Sequence, residues 1–131
     1  MLSLLAGLSL SVLIVINQLE GRRKQLDRQA YKDYWQTKVM VNLEDQGKYQ
    51  LAVIEADKLL DKALKESGFR GQTMGERLVE AGPALSNKDA VWEAHKLRNR
   101  LVHETDVKVS LLQAKRMLAV FARALKDVGA L

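Results

Sequence analysis

Apolar residues return along this chain with the period of an α-helix, and short polar breaks separate the runs. Between about residues 46 and 67 the apolar positions are Val53, Ala56, Leu60, Ala63 and Leu64. This spacing places side chains on one face of a helix. Asp45 before the run and Gly68 after it are residue types typical of helix starts and stops. The pattern therefore predicts a helix over about 46–67.

Three more helices follow from start and stop signals. Thr73 with Glu76 and Ser86 with Asp89 match the capping box, in which a hydroxyl residue precedes an acidic residue by three positions. They predict helices from Thr73 to about Ala81 and from Ser86 to about residue 103 or 104. Ser110 caps a last helix that runs to about residue 128, with Gly129 as its stop. Residues 45–131 are thus predicted to be all-α, an antiparallel four-helix bundle.

The first twenty residues have a different character. Met1–Leu19 is mainly apolar, and about nineteen residues give ~28 Å of helix, close to the hydrocarbon thickness of a bilayer. Arg22, Arg23 and Lys24 follow the run, which by the positive-inside rule predicts a cytoplasmic C-terminal domain. We therefore expect a single-pass anchor of the inner membrane over residues 1–20 and a basic juxtamembrane helix or linker over 21–44. A buried core helix is the alternative for residues 1–20.

Charge and composition narrow the chemistry. The 131 residues carry a net charge of +5 and no cysteine, which excludes disulfides and thiolate metal sites. Residues 22–38 hold six basic and two acidic groups, whereas residues 39–131 hold fifteen basic and thirteen acidic groups. The excess charge is therefore mostly juxtamembrane, which argues against a high-affinity nucleic-acid surface on the domain. We expect no metal and no cofactor, because neither a metal-ligand spacing nor a phosphate-binding glycine loop is present.

The helix predicted from residue 86 carries an unusual polar face. His95, Asn99 and His103 recur every four residues, and Arg98 lies beside Asn99. Residues four apart share a helix face, so both histidines of the chain belong to one surface. Trp92 fits the apolar face of the same helix, and we expect it to pack in the core instead of stacking on a base.

Arg98-Asn99-x-x-x-His103 resembles the Arg-Asn-x-x-x-His signature of the HEPN superfamily of small helical domains, and the surrounding run from Trp92 to Arg100 is similar to uncharacterised bacterial HEPN-like proteins. The resemblance extends from about residue 50 to 129. It implies a metal-independent endoribonuclease that works as a homodimer. RNA would be its substrate, and an antitoxin-like protein is a further implied partner.

The resemblance also implies roles for individual residues. His103 would be the general acid or base, Arg98 would bind the scissile phosphate, and Asn99 would orient either group. An imidazole exchanges protons near neutral pH, and a guanidinium offers a permanent charge to a phosphate. His95, Lys96 and Arg100 lie outside the signature and are candidates for substrate contact.

The alternative hypothesis for the same residues is a non-catalytic role. Arg98, Asn99 and His103 would then form a buried polar network, with Glu55 or Asp57 as partner, that fixes helix packing or a dimer interface. The chain would be a membrane-anchored interaction or dimerisation module. A partner of a minimal nucleotidyltransferase is a third possibility.

Overall fold

The computed structural model describes residues 25–131, and this part of the chain is all-helical, without a strand. Its five α-helices are α1 (Arg28–Tyr34), α2 (Tyr49–Glu66), α3 (Met74–Ala81), α4 (Lys88–His103) and α5 (Leu111–Asp127). A π-helical turn (Trp35–Val39) and two 3-10 turns (Met40–Glu44 and Gln46–Lys48) join α1 to α2. A further 3-10 turn (Gly82–Ala84) lies between α3 and α4.

Two of the four predicted capping sites, Thr73 and Ser110, begin their α-helices. Asp45 instead caps the 3-10 turn Gln46–Lys48, where its side chain accepts from the Gly47 N–H at 3.0 Å, and α2 begins at Tyr49. The Thr73 hydroxyl accepts a hydrogen bond from the Glu76 N–H, and Ser110 forms a complete capping box with Gln113. The start predicted at Ser86 is wrong by one residue. Asn87 is the N-cap of α4, with its side chain accepting from the Ala90 N–H at 3.1 Å, because the Ser86 hydroxyl is already bonded to Asp127 at 2.8 Å.

The predicted glycine stops end α2 and α5. Gly68 and Gly129 both adopt positive φ, at 88° and 85°. Behind each glycine, the next N–H bonds back to a carbonyl five residues earlier, from Phe69 to Leu64 and from Ala130 to Leu125. This is the Schellman arrangement, which satisfies carbonyls that the helix end leaves without partners.

The core lies where α2 meets α3, α4 and α5. Its fully buried side chains include Leu60, Leu64, Leu78, Phe121 and Leu125. Burial of such side chains contributes about 1.5–3 kcal/mol each, so this layer provides much of the stability. The start of α2, the end of α4 and the start of α5 meet around one groove. Helix α4 therefore runs opposite to α2 and α5.

Helix α1 and the π-helical turn that follows it pack on the same core. Tyr31 and Val39 are 3% and 0% exposed, and the Tyr31 hydroxyl donates to Glu66 at 2.8 Å. In the described part of the segment predicted as a juxtamembrane helix or linker, residues 25–27 are not helical and Asp27 caps α1. Within residues 25–131 no helix has the length and apolarity needed to cross a bilayer. The anchor predicted over residues 1–20 lies outside the described residues, and the divisions at residues 20 and 44 stay predictions.

Candidate functional site

The polar face of α4 meets α2 at one buried carboxylate, that of Asp57. Asp57 is 2% exposed, and His95 opposite it on α4 is 8% exposed. His95 and Asn99 are one turn apart on α4, with Arg98 between them and half-buried. Burying a carboxylate without a polar partner costs folding free energy. The groups that contact Asp57 therefore determine the chemistry of the site.

Four contacts join these residues into a closed ring, which we call the Asp57 ring. Asp57 Oδ1 lies 2.8 Å from His95 Nδ1, and Asp57 Oδ2 lies 3.4 Å from Arg98 Nε. Arg98 Nη1 donates to Asn99 Oδ1 at 3.0 Å, and Asn99 Nδ2 lies 3.5 Å from His95 Nε2. The Arg98 Nε contact is an ion pair by distance but does not meet hydrogen-bond geometry within the described residues.

One arrangement of donors and acceptors satisfies the ring. His95 Nδ1 donates to the carboxylate, and His95 Nε2 accepts from the Asn99 amide. The charge of Arg98 then balances that of Asp57. Every member of the ring thus has a polar partner inside it, which is how a polar cluster becomes tolerable in a core.

His103 lies apart from the ring. It is the last residue of α4, it is exposed, and it makes no hydrogen bond or ion pair with any residue in 25–131. It lines the groove where α2, α4 and α5 meet, a depression of about 830 Å³ whose walls include Tyr49, Leu101 and Val109. Arg98 is not among the residues that line this groove. The structure of one chain therefore joins Arg98 to Asn99 but not to His103.

The other candidate contact residues lie on the surface. Lys96 is exposed and pairs with Glu93 at 3.3 Å, while Arg100 pairs with Glu104 at 3.7 Å. Such exposed pairs contribute at most about 1 kcal/mol, so both cations can exchange these partners for another anion. His95, also a candidate for substrate contact, lies in the Asp57 ring and is buried. Trp92 is half-buried and meets the His95 ring edge-on at 6.2 Å between ring centroids.

Asp57 has the central position that the sequence left open between Glu55 and Asp57. Glu55 instead accepts a hydrogen bond from the Tyr34 hydroxyl. The signal for Asp57 is its spacing, since it follows Val53 by four residues and precedes Leu60 by three. A carboxylate in phase with the buried stripe of an amphipathic helix indicates a buried, paired group.

Comparisons of the chain with family models, with curated proteins and with solved structures return no match. The resemblance to the HEPN superfamily therefore stays a prediction. Within the described residues, no three histidine, aspartate or glutamate side chains are grouped so that they could hold a metal ion.

Proposed function

We propose that this protein is a membrane-anchored, non-catalytic interaction module. In this proposal residues 45–131 form a HEPN-like antiparallel four-helix bundle that pairs with a second copy of the chain, and residues 1–20 hold it at a membrane. The observation that carries the proposal is the Asp57 ring. Two of the three signature residues belong to this ring: Arg98 pairs with Asp57 of α2, and Asn99 contacts Arg98 and His95 within α4.

The ring supports a structural role because its polar groups face one another. The carboxylate of Asp57 takes up His95 Nδ1 and lies beside Arg98 Nε, and the Asn99 amide spans the distance between Arg98 and His95. A general base needs a free lone pair within reach of its substrate. His95 Nε2 is instead turned towards Asn99, so the ring fixes the rotation of α4 on α2.

The groove beside the ring is the surface that we assign to pairing. Apolar residues of α4, of the following loop and of α5 line it: Leu101, Val102, Val107, Val109 and Leu111. Val102 is 46% exposed, although an apolar side chain gains free energy by leaving water. Interfaces between copies of one chain bury such patches around a twofold axis. The groove therefore fits an interface between two copies.

The test is sedimentation equilibrium of the full chain in mild detergent, with two matched variants. Val102→Asp places a charge in the groove, while Val79→Asp makes the same change at a valine of α3 that is 68% exposed and outside the groove. We expect the first variant to weaken self-association by about a hundredfold, since a buried unpaired charge costs several kcal/mol. The second variant should match wild type. Equal association of all three proteins would contradict this interface.

A second candidate function, metal-independent RNA cleavage, is favoured by a different observation. The His103 imidazole is exposed and has no polar partner among residues 25–131, and the Arg98 side chain is 30% exposed. In a dimer, His103 of one copy would serve as general acid or base for attack by the RNA 2′-hydroxyl. Arg98 would stabilise charge on the phosphate, and the exposed Lys96 and Arg100 would add contacts to the strand.

A further inference from the structure

The outer face of α5 carries a cationic stripe. Six exposed positions form it: Leu112, Lys115, Arg116, Ala119, Arg123 and Lys126. At 3.6 residues per turn they fall within an arc of about 100°, and the four cations extend along ~17 Å of helix. Leu112 is 58% exposed. The stripe therefore combines four positive charges with the small side chain of Ala119 among them and the apolar side chain of Leu112 at one end.

The helix that carries the stripe has the largest excess of positive charge among the described α-helices. Helix α5 has four basic residues and one acidic residue, a net charge of +3, whereas residues 39–131 together have a net charge of only +2. On α2, Lys62 and Lys65 pair with carboxylates of the same helix. Lys115, Arg116 and Lys126 have no ion-pair partner among residues 25–131. Other helices also hold single cations without an ion pair in residues 25–131, such as Lys58 and Lys88. On α5, however, three of the four cations have no ion-pair partner and lie on one face, where an external anion can reach them.

Arg123 differs from its three neighbours in the stripe. Its Nε lies 3.4 Å from Asp127 and donates to the Ser86 hydroxyl at 3.1 Å. Arg123 thus also stabilises the contact between the residue before the N-cap of α4 and the last turn of α5. A test of the stripe should therefore leave this residue in place.

We propose that the α5 stripe docks the domain on the surface of an anionic bilayer. Each lysine or arginine close to such a surface strengthens binding by about fivefold, so four cations together provide several hundredfold. Four phosphate contacts hold a free nucleic acid only weakly and in a salt-sensitive way. The same four cations are enough to dock a domain that is already held at a membrane. The proposal therefore rests on the anchor proposed over residues 1–20.

The position of α1 is compatible with this docking. Arg28, at the start of α1, donates to the carbonyl of Leu131 just beyond the end of α5. The preceding residues 25–27 are not helical. The chain therefore leads into the domain beside the Lys126 end of the stripe, through a segment that does not force α5 to stand along the membrane normal.

The test uses the absence of cysteine from the chain. Ala119→Cys provides one thiol in the centre of the stripe for a bimane fluorophore, and Val79→Cys provides a control thiol on α3. Each labelled full chain is reconstituted into phosphatidylcholine vesicles with or without phosphatidylglycerol. We expect the emission of the Ala119 label to shift to the blue only with the anionic lipid, and to return at high salt. The Val79 label should not change.

Two triple variants distinguish an effect of the stripe on the label's emission from an effect of net charge alone. Replacing Lys115, Arg116 and Lys126 by glutamine should abolish the shift of the Ala119 label. Replacing the exposed cations Lys58, Arg70 and Lys88 by glutamine removes as much charge elsewhere and should leave the shift unchanged. Equal loss in the two triple variants, or no shift in the wild-type background, would overturn the proposal. So would a shift caused by a single-stranded oligonucleotide and not by anionic lipid.

Flotation of the same samples tests the anchor separately. A chain anchored by residues 1–20 floats with phosphatidylcholine vesicles irrespective of charge. Failure to float with neutral vesicles would contradict the anchor. A chain that floats with both kinds of vesicle but shows no charge-dependent shift would contradict the stripe alone.

Discussion

Replacing Asp57 by asparagine should destabilise the fold through the Asp57 ring. The substitution keeps the side-chain shape but converts a charged acceptor into a neutral amide. The bond from His95 then falls from the charge-assisted to the neutral class, a loss of about 1 kcal/mol. Arg98 also loses its counterion, but its side chain is 30% exposed and can turn towards water. This contribution is therefore smaller than the 3–5 kcal/mol typical of a broken buried pair.

The two effects together predict a loss of about 2–3 kcal/mol in the free energy of unfolding, or roughly 10 °C in Tm. The assay is urea unfolding of the full chain in mild detergent, followed by far-ultraviolet circular dichroism. Asp106→Asn is the matched control, because Asp106 is exposed in the loop before α5. This control should change stability by no more than about 0.5 kcal/mol.

A double-mutant cycle tests whether the ring is one unit. If Asp57 and Arg98 are coupled, Asp57→Asn combined with Arg98→Met should cost less than the sum of the two single changes by about 1 kcal/mol. Additive costs, or a cost of Asp57→Asn no larger than that of Asp106→Asn, would refute the structural role of the ring.

Three further predictions concern the scaffold. Burial, the hydrogen bond to Glu55 and the charge of Glu55 raise the pKa of Tyr34 to about 12. Because the folded state holds this proton more tightly than the unfolded state, the free energy of unfolding should fall as pH rises from about 10. The Tyr34→Phe variant should show a shallower fall in an alkaline titration of stability. Burial alone would raise the pKa of Asp61, but hydrogen bonds from Arg77 and its charge outweigh burial and lower that pKa. The stability that Asp61 gains from Arg77 is present above the unfolded pKa of about 3.9 and is lost as pH falls through the folded pKa. The Arg77→Met variant should therefore not show this loss of stability in acid unfolding. Ser110→Ala removes the cap of α5 and should cost about 1 kcal/mol in urea unfolding, and an unchanged midpoint would contradict the capping box.

The helix ends could be predicted from sequence where the signal is local. Gly68 and Gly129 end their helices because a positive φ lets the next amide reach back to the carbonyls of the last turn. Thr73 and Ser110 need only an amide three residues ahead. The helix start predicted at Ser86 is wrong because the Ser86 hydroxyl bonds to Asp127, which is 41 residues away in the sequence. A long-range partner of this kind leaves no trace in the local pattern.

The site was predictable only in part, for a similar reason. Spacing on α4 correctly grouped His95 with Asn99, and it left open whether Glu55 or Asp57 would face them. That choice depends on the rotation of α2 against α4, which tertiary packing sets. His103 shares the spacing of His95 and Asn99, yet it lies at the last turn of α4, where only the groove faces it. Periodicity gives the face of a helix but not what covers that face at each turn.

The most direct test of a non-catalytic role is RNA cleavage in the presence of EDTA. The full chain in mild detergent is incubated with single-stranded RNA beside the His103→Ala variant, and the products are separated on a denaturing gel. We expect intact RNA with both proteins, because Arg98 and Asn99 belong to the Asp57 ring and His103 lies apart from them. Cleavage by the wild-type chain that is lost in His103→Ala would contradict it.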